Sequence, residues 1–238
     1  MAADRLDAAA TRAQTATVPE LSFNDRLAAA VRLHSEGVSG SKEAVRRAQA
    51  QFKSLHMQYP DNAAVKAYYG SSLALMARDS LRPSERLNLA KQALALLDEA
   101  VAAEPEERMH RMLRGKIAYH LPEPFFHRTD TAIEDYAMLI DHELTNPGSL
   151  DRKAYAQLVY ELGEAYFRTQ RTKEAKLCWR MLPMLTSDEK LIHLSSVKSK
   201  SANRKLSASP DDPFELRGLA GVIIGLAGAS LLRFAKRK

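Results

Sequence analysis

The densest group of side chains that could bind a metal lies between residues 120 and 130. It contains two imidazoles and two carboxylates within eleven residues: His120, Glu123, His127 and Asp130. Such side chains hold a divalent metal when the fold brings them together. Pro122 and Pro124 interrupt their spacing, so no single helical face presents all four. Two interpretations stay open: a metal-dependent enzyme site in residues 121–130, and a proline-kinked connector whose Phe125 and Phe126 pack beneath neighbouring helices.

Other catalytic signatures are missing from the sequence. It has no glycine-rich phosphate loop, no G-x-S-x-G turn and no paired-carboxylate pattern. The only cysteine, Cys178, precedes Trp179, so an internal disulfide is impossible. A small buried hydrophobe in a reducing compartment is the plain interpretation of this thiol. The sequence therefore predicts a protein that is not an enzyme and that has no cofactor and no metal.

The positive charge is concentrated at the C-terminal end of the chain. The formal net charge is +6, and residues 195–238 hold nine Lys/Arg and three Asp/Glu, which accounts for all of it. The preceding residues are neutral overall, with both signs interspersed. Phosphate binding requires a basic face, which such a body lacks. We therefore expect no nucleic-acid partner.

The clearest pattern runs from Leu162 to Leu182. Gly163 is followed by Tyr166 after three residues and by Ala175 after twelve, and Trp179 and Leu182 continue at steps of four and three. This spacing predicts two antiparallel helices, with the small residues where they cross and the large ones along an apolar stripe. Residues 169–172 form a polar turn of the length expected between them.

The same pattern occurs earlier in the chain. Gly70 and Gly115 each lie ten residues after a proline, and apolar second-helix positions follow both: Ala93, Leu97 and Ala100, then Ala132, Tyr136 and Leu139. Ala48, Phe52 and Leu55 occupy second-helix positions of a degenerate first unit. These residues resemble the tetratricopeptide repeat (TPR). The resemblance implies an all-α fold, a right-handed superhelix of TPR-like antiparallel helix pairs, followed by a single apolar C-terminal helix.

Capping residues and composition set the expected boundaries. Helix starts are predicted at Ser22 or Asn24, Ser41, Asp61–Asn62, Pro83, a capping box at Thr131–Glu134, and Asp151. A long loop is expected between about Arg78 and Glu85, and a final short helix up to about Leu194. The domains are then a flexible segment over 1–20, a repeat domain over 21–194, a polar linker over 195–217 and a C-terminal helix with a basic end over 218–238.

The last segment predicts a membrane anchor. Residues 218–232 carry no charge, and Arg233 and a Lys-Arg-Lys end follow them. As a helix they span about 22 Å, short of the roughly 30 Å hydrocarbon slab unless the flanking arginines reach the interface. The residues expected in the bilayer are Gly221, Val222, Ile223, Ile224, Gly225, Leu226, Leu231 and Leu232. The two glycines form a GxxxG pair that could support helix association. The alternatives are a helix that packs back on the body and one that lies in the membrane interface.

This layout is similar to that of mitochondrial and peroxisomal tail-anchored proteins, including the mitochondrial fission adaptor, which is itself a repeat protein. The similarity implies a repeat domain in the cytoplasm, at the mitochondrial or peroxisomal outer surface of a eukaryote. In a bacterium the inner membrane is the corresponding site, although the basic end then opposes the positive-inside rule.

The TPR resemblance also implies a concave groove lined by first helices. Its expected side chains are Met112, Lys116, Tyr119, Tyr160, Glu164, Phe167 and Arg168, with Ala67, Ser71 and Ala74 in the preceding repeat. Ala67 and Ser71 stand where the chaperone-binding members carry Lys and Asn, which argues against that ligand class. The mixture suits an amphipathic or extended protein segment. Each residue has the alternative role of packing between repeats.

The function predicted from these features is that of an adaptor or scaffold. It recruits a protein or peptide through the groove and is tethered to a lipid bilayer by its C-terminal helix. The two alternatives are a metal-dependent enzyme with its site in residues 121–130 and a structural membrane protein that associates with itself.

Overall fold

Helix starts follow the capping residues that the sequence indicates at four places. The computed structural model describes residues 21–206, with side chains up to Ala202. Within that range the chain forms only helices: α1 Phe23–Val38, α2 Lys42–Gln58, α3 Ala63–Asp79, α4 Pro83–Ala103, α5 Arg108–His120, α6 Glu123–Phe126, α7 Thr129–Thr145, α8 Arg152–Arg168, α9 Thr172–Leu185 and α10 Glu189–Leu206. The expected caps Ser22, Ser41, Asn62 and Asp151 each accept a hydrogen bond from a first-turn N–H group.

The capping box predicted at Thr131 is wrong. Helix α7 begins two residues earlier, at Thr129, and its N-cap residue Arg128 makes no side-chain cap. The carboxylate of Glu123, from the short helix α6, accepts hydrogen bonds from the N–H groups of Arg128 (3.0 Å) and Thr129 (2.8 Å) and from the Thr129 hydroxyl (2.5 Å). A cap from another helix thus satisfies these donors at the helix start, where a carboxylate is also favoured by the helix dipole.

The helices pair as four antiparallel hairpins, α1 with α2, α3 with α4, α5 with α7, and α8 with α9. A Cβ at Gly70 would lie 2.9 Å from the carbonyl oxygen of Ala93, and one at Gly115 would lie 2.9 Å from Cε1 of Tyr136. At Gly163 it would lie 2.5 Å from Nε1 of Trp179. The three glycines thus occupy equivalent crossings in successive hairpins, as predicted, since only a residue without Cβ permits such an approach.

The second hairpin is longer than the others because most residues of its expected loop belong to the helices α3 and α4. The loop expected between about Arg78 and Glu85 is reduced to residues 80–82, and α4 starts at Pro83 as predicted. Gly70 lies nine residues before the end of α3, whereas Gly115 and Gly163 each lie five residues before the ends of their helices. At 1.5 Å per residue, α3 extends about 6 Å further from its crossing than α5 or α8.

The last two helices extend past their expected ends. Helix α9 includes Pro183 and ends at Leu185, and α10 continues to Leu206, beyond the end expected near Leu194. The residues of 195–206, interpreted as linker from their composition, are therefore helical. Their buried positions explain this, because Ser195 and Ala202 pack inward with Leu191 at steps of four and seven.

The expected segments 1–20 and 218–238, and the rest of the linker, lie outside the described residues. Between residues 21 and 206, none of the helices has both the length and the apolar character needed to cross a bilayer.

Candidate protein-binding groove

The first helices of the hairpins form the inner layer of the stack. Helix α3 contacts α1 and α5 directly, and α10 contacts α8. No two second helices make an equally close contact among the described residues. The first helices therefore form a layer of their own within the described residues, and the residues that the sequence assigns to a groove lie on these helices.

The predicted groove residues differ in how much of their surface is available. Tyr119 is buried, and Arg168 is exposed. The other five are half-buried: Met112, Lys116, Tyr160, Glu164 and Phe167. Of the three expected in the preceding repeat, Ala67 and Ser71 are buried and Ala74 is half-buried.

Lys116 takes part in a buried hydrogen-bond network. Its Nζ donates to both oxygens of Glu161, at 2.9 and 2.8 Å, and thereby joins α5 to α8. The same carboxylate accepts from the hydroxyl of Tyr136 at 2.7 Å and from Nε2 of Gln157 at 3.0 Å. The Glu161 side chain is 6% exposed and that of Lys116 is 33% exposed. Sequence reasoning missed Glu161, and the only available signal was a lone carboxylate in the apolar face of a helix.

Arg168 makes a second link between the same two helices. Its Nη1 donates to the carbonyl oxygen of Tyr119 at 2.6 Å, and its guanidinium lies 4.3 Å from the centre of the Tyr119 ring. Burial raises the pKa of Tyr119 to about 12, against the opposing effect of the Arg168 charge. These two residues therefore hold consecutive repeats together, and Arg168 still presents an exposed charge at the end of α8.

Glu164 pairs with the last helix. Its Oε2 accepts from Nζ of Lys198 in α10 at 2.8 Å, and its other oxygen is buried without a hydrogen-bond partner. The contact places α10 beside α8, in the position of a further first helix. Glu164 is thus paired with a residue that the sequence places in a linker.

The apolar members of the set lie partly in the core. Met112, Tyr160 and Phe167 all pack against the largest core cluster, and the ring of Phe167 lies 5.7 Å from that of Trp179. Burial, followed by the nearby Glu164 charge, raises the pKa of Tyr160. Tyr160 keeps part of its surface free and is the aromatic side chain of the set best placed to contact a ligand.

Two exposed residues of α5 extend the candidate surface. Met109 is 44% exposed at the start of the helix, and His120 is exposed at its end. Sequence reasoning assigned His120 to the metal set and did not include Met109. Met109 lies three residues before Met112, which was the available signal, since i and i+3 share a helix face.

A buried polar pair joins the first two helices of this layer, α1 and α3. Nε2 of His34 in α1 lies 2.8 Å from Oγ of Ser71 in α3. The rings of Phe52 and Tyr68 flank the imidazole edge to face. Burial lowers the pKa of His34 to about 4, so the imidazole is neutral at neutral pH. Ser71 is thus part of the packing between repeats and is not available to a ligand.

The residues considered for a metal site do not converge. Glu123 caps α7, and His127 Nδ1 lies 3.9 Å from it with 77% of its side chain exposed. No group of three potential ligands able to hold a metal occurs within the described part of the chain. Phe125, expected beneath neighbouring helices, is 77% exposed, whereas Phe126 is half-buried. A four-residue helix that points one ring inward leaves its neighbour outside, which explains the error.

Cys178 lies in α9 with its side chain mostly covered. Burial raises the pKa of its thiol to about 12. Nucleophilic chemistry requires the thiolate, which this environment disfavours.

No family model and no curated protein matches this chain. Among solved structures the chain is similar to TTC0263, described as a thermophilic TPR protein in Thermus thermophilus, at 16% sequence identity. The superposition covers 74% of this chain and 81% of that chain, with a TM-score of 0.49. The helical-repeat fold described above stands on the helix pairs and glycine crossings of this chain itself.

Proposed function

We propose that this protein is a protein-binding scaffold that is held at a membrane by residues 218–238. The observation that supports binding is the inner layer of first helices, which is open and presents Met109, Tyr160, His120 and Arg168 along its surface. Stacked hairpins with such a surface accommodate an extended or helical segment of another protein.

The composition of this surface favours a partner segment of a particular chemistry. Tyr160 and Met109 offer an aromatic ring and a flexible thioether, which suit apolar anchors of varied shape. Arg168 adds a fixed positive charge at the end of α8. We therefore infer a ligand with one or two large apolar side chains followed by an acidic group.

The membrane tether is supported by the sequence of the last segment. Residues 218–232 are uncharged and end in Arg233. A tether of this kind confines the repeat domain to a surface, on its cytoplasmic side, and raises the effective concentration of partners there.

Site-specific crosslinking tests the groove directly. A photoreactive phenylalanine replaces Tyr160 in the full chain, and the matched control carries it at Gln92, an exposed position of the second helix α4. After irradiation in the native cells, we expect a discrete adduct from position 160 and none from position 92. The adduct should disappear when Met109→Asp is added. Equal adducts from both positions would contradict a groove.

Fractionation tests the tether separately. The double substitution Ile223→Lys and Ile224→Lys places two charges in the centre of the uncharged segment, where each costs about 2.5–3.5 kcal/mol. We expect the full chain to sediment with membranes and to resist carbonate extraction, and the double variant to become extractable. A double variant that sediments and resists extraction like the original chain would disprove the anchor.

A further inference from the structure

One edge of the stack gathers all four connections within hairpins. We call it the turn edge: residues 39–41, 80–82, 121–128 and 169–171. Two contacts show that neighbouring connections lie side by side. Nη2 of Arg78 donates to the carbonyl oxygen of Gly37 at 3.1 Å, and Arg168 reaches Tyr119 at the corresponding ends of α5 and α8. The connections between hairpins lie at the opposite edge: residues 59–62, 104–107, 146–151 and 186–188.

The first three connections of the turn edge each carry or adjoin an exposed large apolar side chain. Val38 is 56% exposed, Leu81 is 93% exposed and Phe125 is 77% exposed. Leu81 lies at the tip of the second hairpin, where α3 extends about 6 Å further from its glycine crossing than α5 and α8 do. The opposite edge also carries exposed apolar side chains, including Met57 at 75%, Met184 at 63% and Leu21 at 62%. The charge of the two edges and the course of the chain must therefore distinguish them.

The turn edge is also the basic edge of the molecule. The segments 35–47, 77–86, 120–130 and 167–176, which contain its connections, hold eleven Lys/Arg and seven Asp/Glu. The opposite-edge segments 21–27, 55–66, 100–111, 142–154 and 183–192 hold seven Lys/Arg and nine Asp/Glu. Arg47 and Arg82 are among the exposed cations of the turn edge. The two ends of the helices therefore differ in the sign of their charge.

The described chain ends at this same edge. Helix α10 packs against α9 after the short connection 186–188, so it is antiparallel to α9 and runs in the direction of α8. Its Lys198 contacts Glu164, which lies four residues before the end of α8. Helix α10 continues eight residues beyond Lys198, to Leu206. At 1.5 Å per residue its end lies about 6 Å further out than the end of α8. The chain thus leaves the repeat domain on the side of the apolar tips, with eleven residues, 207–217, before the uncharged segment begins.

We propose that the turn edge rests on an anionic lipid bilayer, with Leu81 and Phe125 in the headgroup region. Basic side chains beside exposed apolar ones are the combination that binds anionic membrane surfaces. The proposal rests on the proposed tether, which delivers the chain to this edge. This contact fixes the orientation of the repeat domain. The helix axes are roughly perpendicular to the membrane surface, and the acidic edge faces the cytoplasm. The groove then opens parallel to the plane of the bilayer.

Tryptophan quenching by brominated lipids tests the contact with the full chain. The chain has one tryptophan, Trp179, which is 2% exposed and supplies a constant background. A second tryptophan is introduced by Leu81→Trp at the turn edge or, as a control, by Tyr59→Trp at the opposite edge, where the side chain is 40% exposed. On phosphatidylserine-containing vesicles, we expect quenching above background for Leu81→Trp and none for Tyr59→Trp.

Charge reversal tests whether basic side chains of the turn edge contribute to binding of the anionic bilayer. Adding Arg82→Glu to Leu81→Trp should weaken the quenching, while Lys153→Glu at the opposite edge, with the same change in net charge, should leave it intact. A basic side chain near an anionic surface strengthens binding about fivefold. Equal effects of the two reversals, or equal quenching on zwitterionic vesicles, would overturn the assignment of the basic edge to anionic lipid.

These experiments distinguish a failure of the turn-edge proposal from a failure of the proposed tether. If the chain sediments with vesicles but Leu81→Trp is quenched no more than Tyr59→Trp, the edge proposal is wrong and the tether stands. If Ile223→Lys and Ile224→Lys leave sedimentation unchanged while the Leu81→Trp quenching persists, the tether is wrong and the edge contact stands. If Leu81→Trp shows no quenching but crosslinks to a protein on native membranes, a protein covers this edge and the lipid proposal is overturned.

Discussion

The indole of Trp179 packs on the backbone of Gly163 so closely that a Cβ at Gly163 would lie 2.5 Å from Nε1 of the indole. Trp179 is 2% exposed and cannot move into solvent without opening the α8–α9 crossing. The same relationship, with other partners, recurs at Gly70 and Gly115. These glycine crossings determine how closely the two helices of a hairpin approach.

We predict that Gly163→Ala destabilises the protein. Overpacking costs about 1–3 kcal/mol, and the better helix preference of alanine offsets about 1 kcal/mol of this. The contact of 2.5 Å puts this site at the upper end of that range, so urea unfolding should show a net loss of roughly 2 kcal/mol. Ser196→Ala, at an exposed position of α10, is the control and should change the free energy of unfolding by less than about 0.5 kcal/mol. A Gly163→Ala protein as stable as the original would contradict the close crossing.

The two partners of the Lys116–Glu161 pair should respond unequally to substitution. Lys116→Met leaves the Glu161 carboxylate, which is 6% exposed, without its cationic partner. We expect the free energy of unfolding to fall by about 3 kcal/mol. Glu161→Gln leaves an ammonium that is 33% exposed and can turn to water, so a loss of about 1–2 kcal/mol is expected.

The control pair is Lys66–Glu99, at 3.0 Å with Glu99 57% exposed. Glu99→Gln should cost less than about 1 kcal/mol. All three variants are compared by chemical unfolding at pH 7. Finding the larger loss for Glu161→Gln would show that the carboxylate, and not the ammonium, is the easier group to leave unpaired.

His34 should make the protein less stable in mild acid. Its folded pKa is about 4, below the ordinary 6.5, so the unfolded chain binds the proton more tightly. Stability is then fully present above pH 6.5 and decreases as the pH falls toward 4, by up to roughly 3 kcal/mol. Free energies of unfolding measured from pH 7 to pH 4.5 give this slope.

His34→Gln provides the comparison, because it keeps a polar partner for Ser71 but does not titrate in this range. The carboxylates contribute equally to both proteins, so the difference between the two pH profiles isolates the imidazole. Parallel profiles would mean that His34 is not desolvated in the folded state.

Glu123 should stabilise the start of α7. Glu123→Ala removes the acceptor of three hydrogen bonds, and the loss of a helix cap costs about 0.5–2 kcal/mol. Glu106→Ala, in an exposed connection, is the matched control and should be close to neutral. Hydrogen exchange should show faster exchange at the first turn of α7 for Glu123→Ala alone. If both variants exchange alike, the cap is not formed in solution.

Much of the local structure was predictable from the sequence, because the physics that sets it acts between near neighbours. Ser22, Ser41, Asn62 and Asp151 cap their helices through bonds to groups two or three residues away. The hairpin pairing was predictable for a related reason. A glycine marks a crossing when an alanine follows twelve residues later, or further on where the connection is longer. At such a crossing the second helix packs directly on the backbone of the glycine.

The roles of the groove residues were decided by the tertiary structure. Lys116 and Glu161 are 45 residues apart, and Tyr119 and Arg168 are 49 apart. Whether such pairs meet depends on the curvature of the stack, which no local pattern encodes. The cap from Glu123 escaped prediction for another reason, since its carboxylate accepts from N–H groups five and six residues away, whereas the usual N-cap reaches two or three residues.

Composition indicated a polar linker at residues 195–206, whereas the structure shows them in α10, which packs against α9. A serine-rich sequence forms a helix when its few apolar positions, Leu191 and Ala202 here, find a surface to bury against. The sequence by itself therefore determined where α1, α2, α3, α4 and α8 start, which helices pair and which segment is uncharged. The tertiary structure decided which polar side chains join the repeats, which stay open to a partner, and at which edge the chain leaves, since these depend on contacts between distant residues.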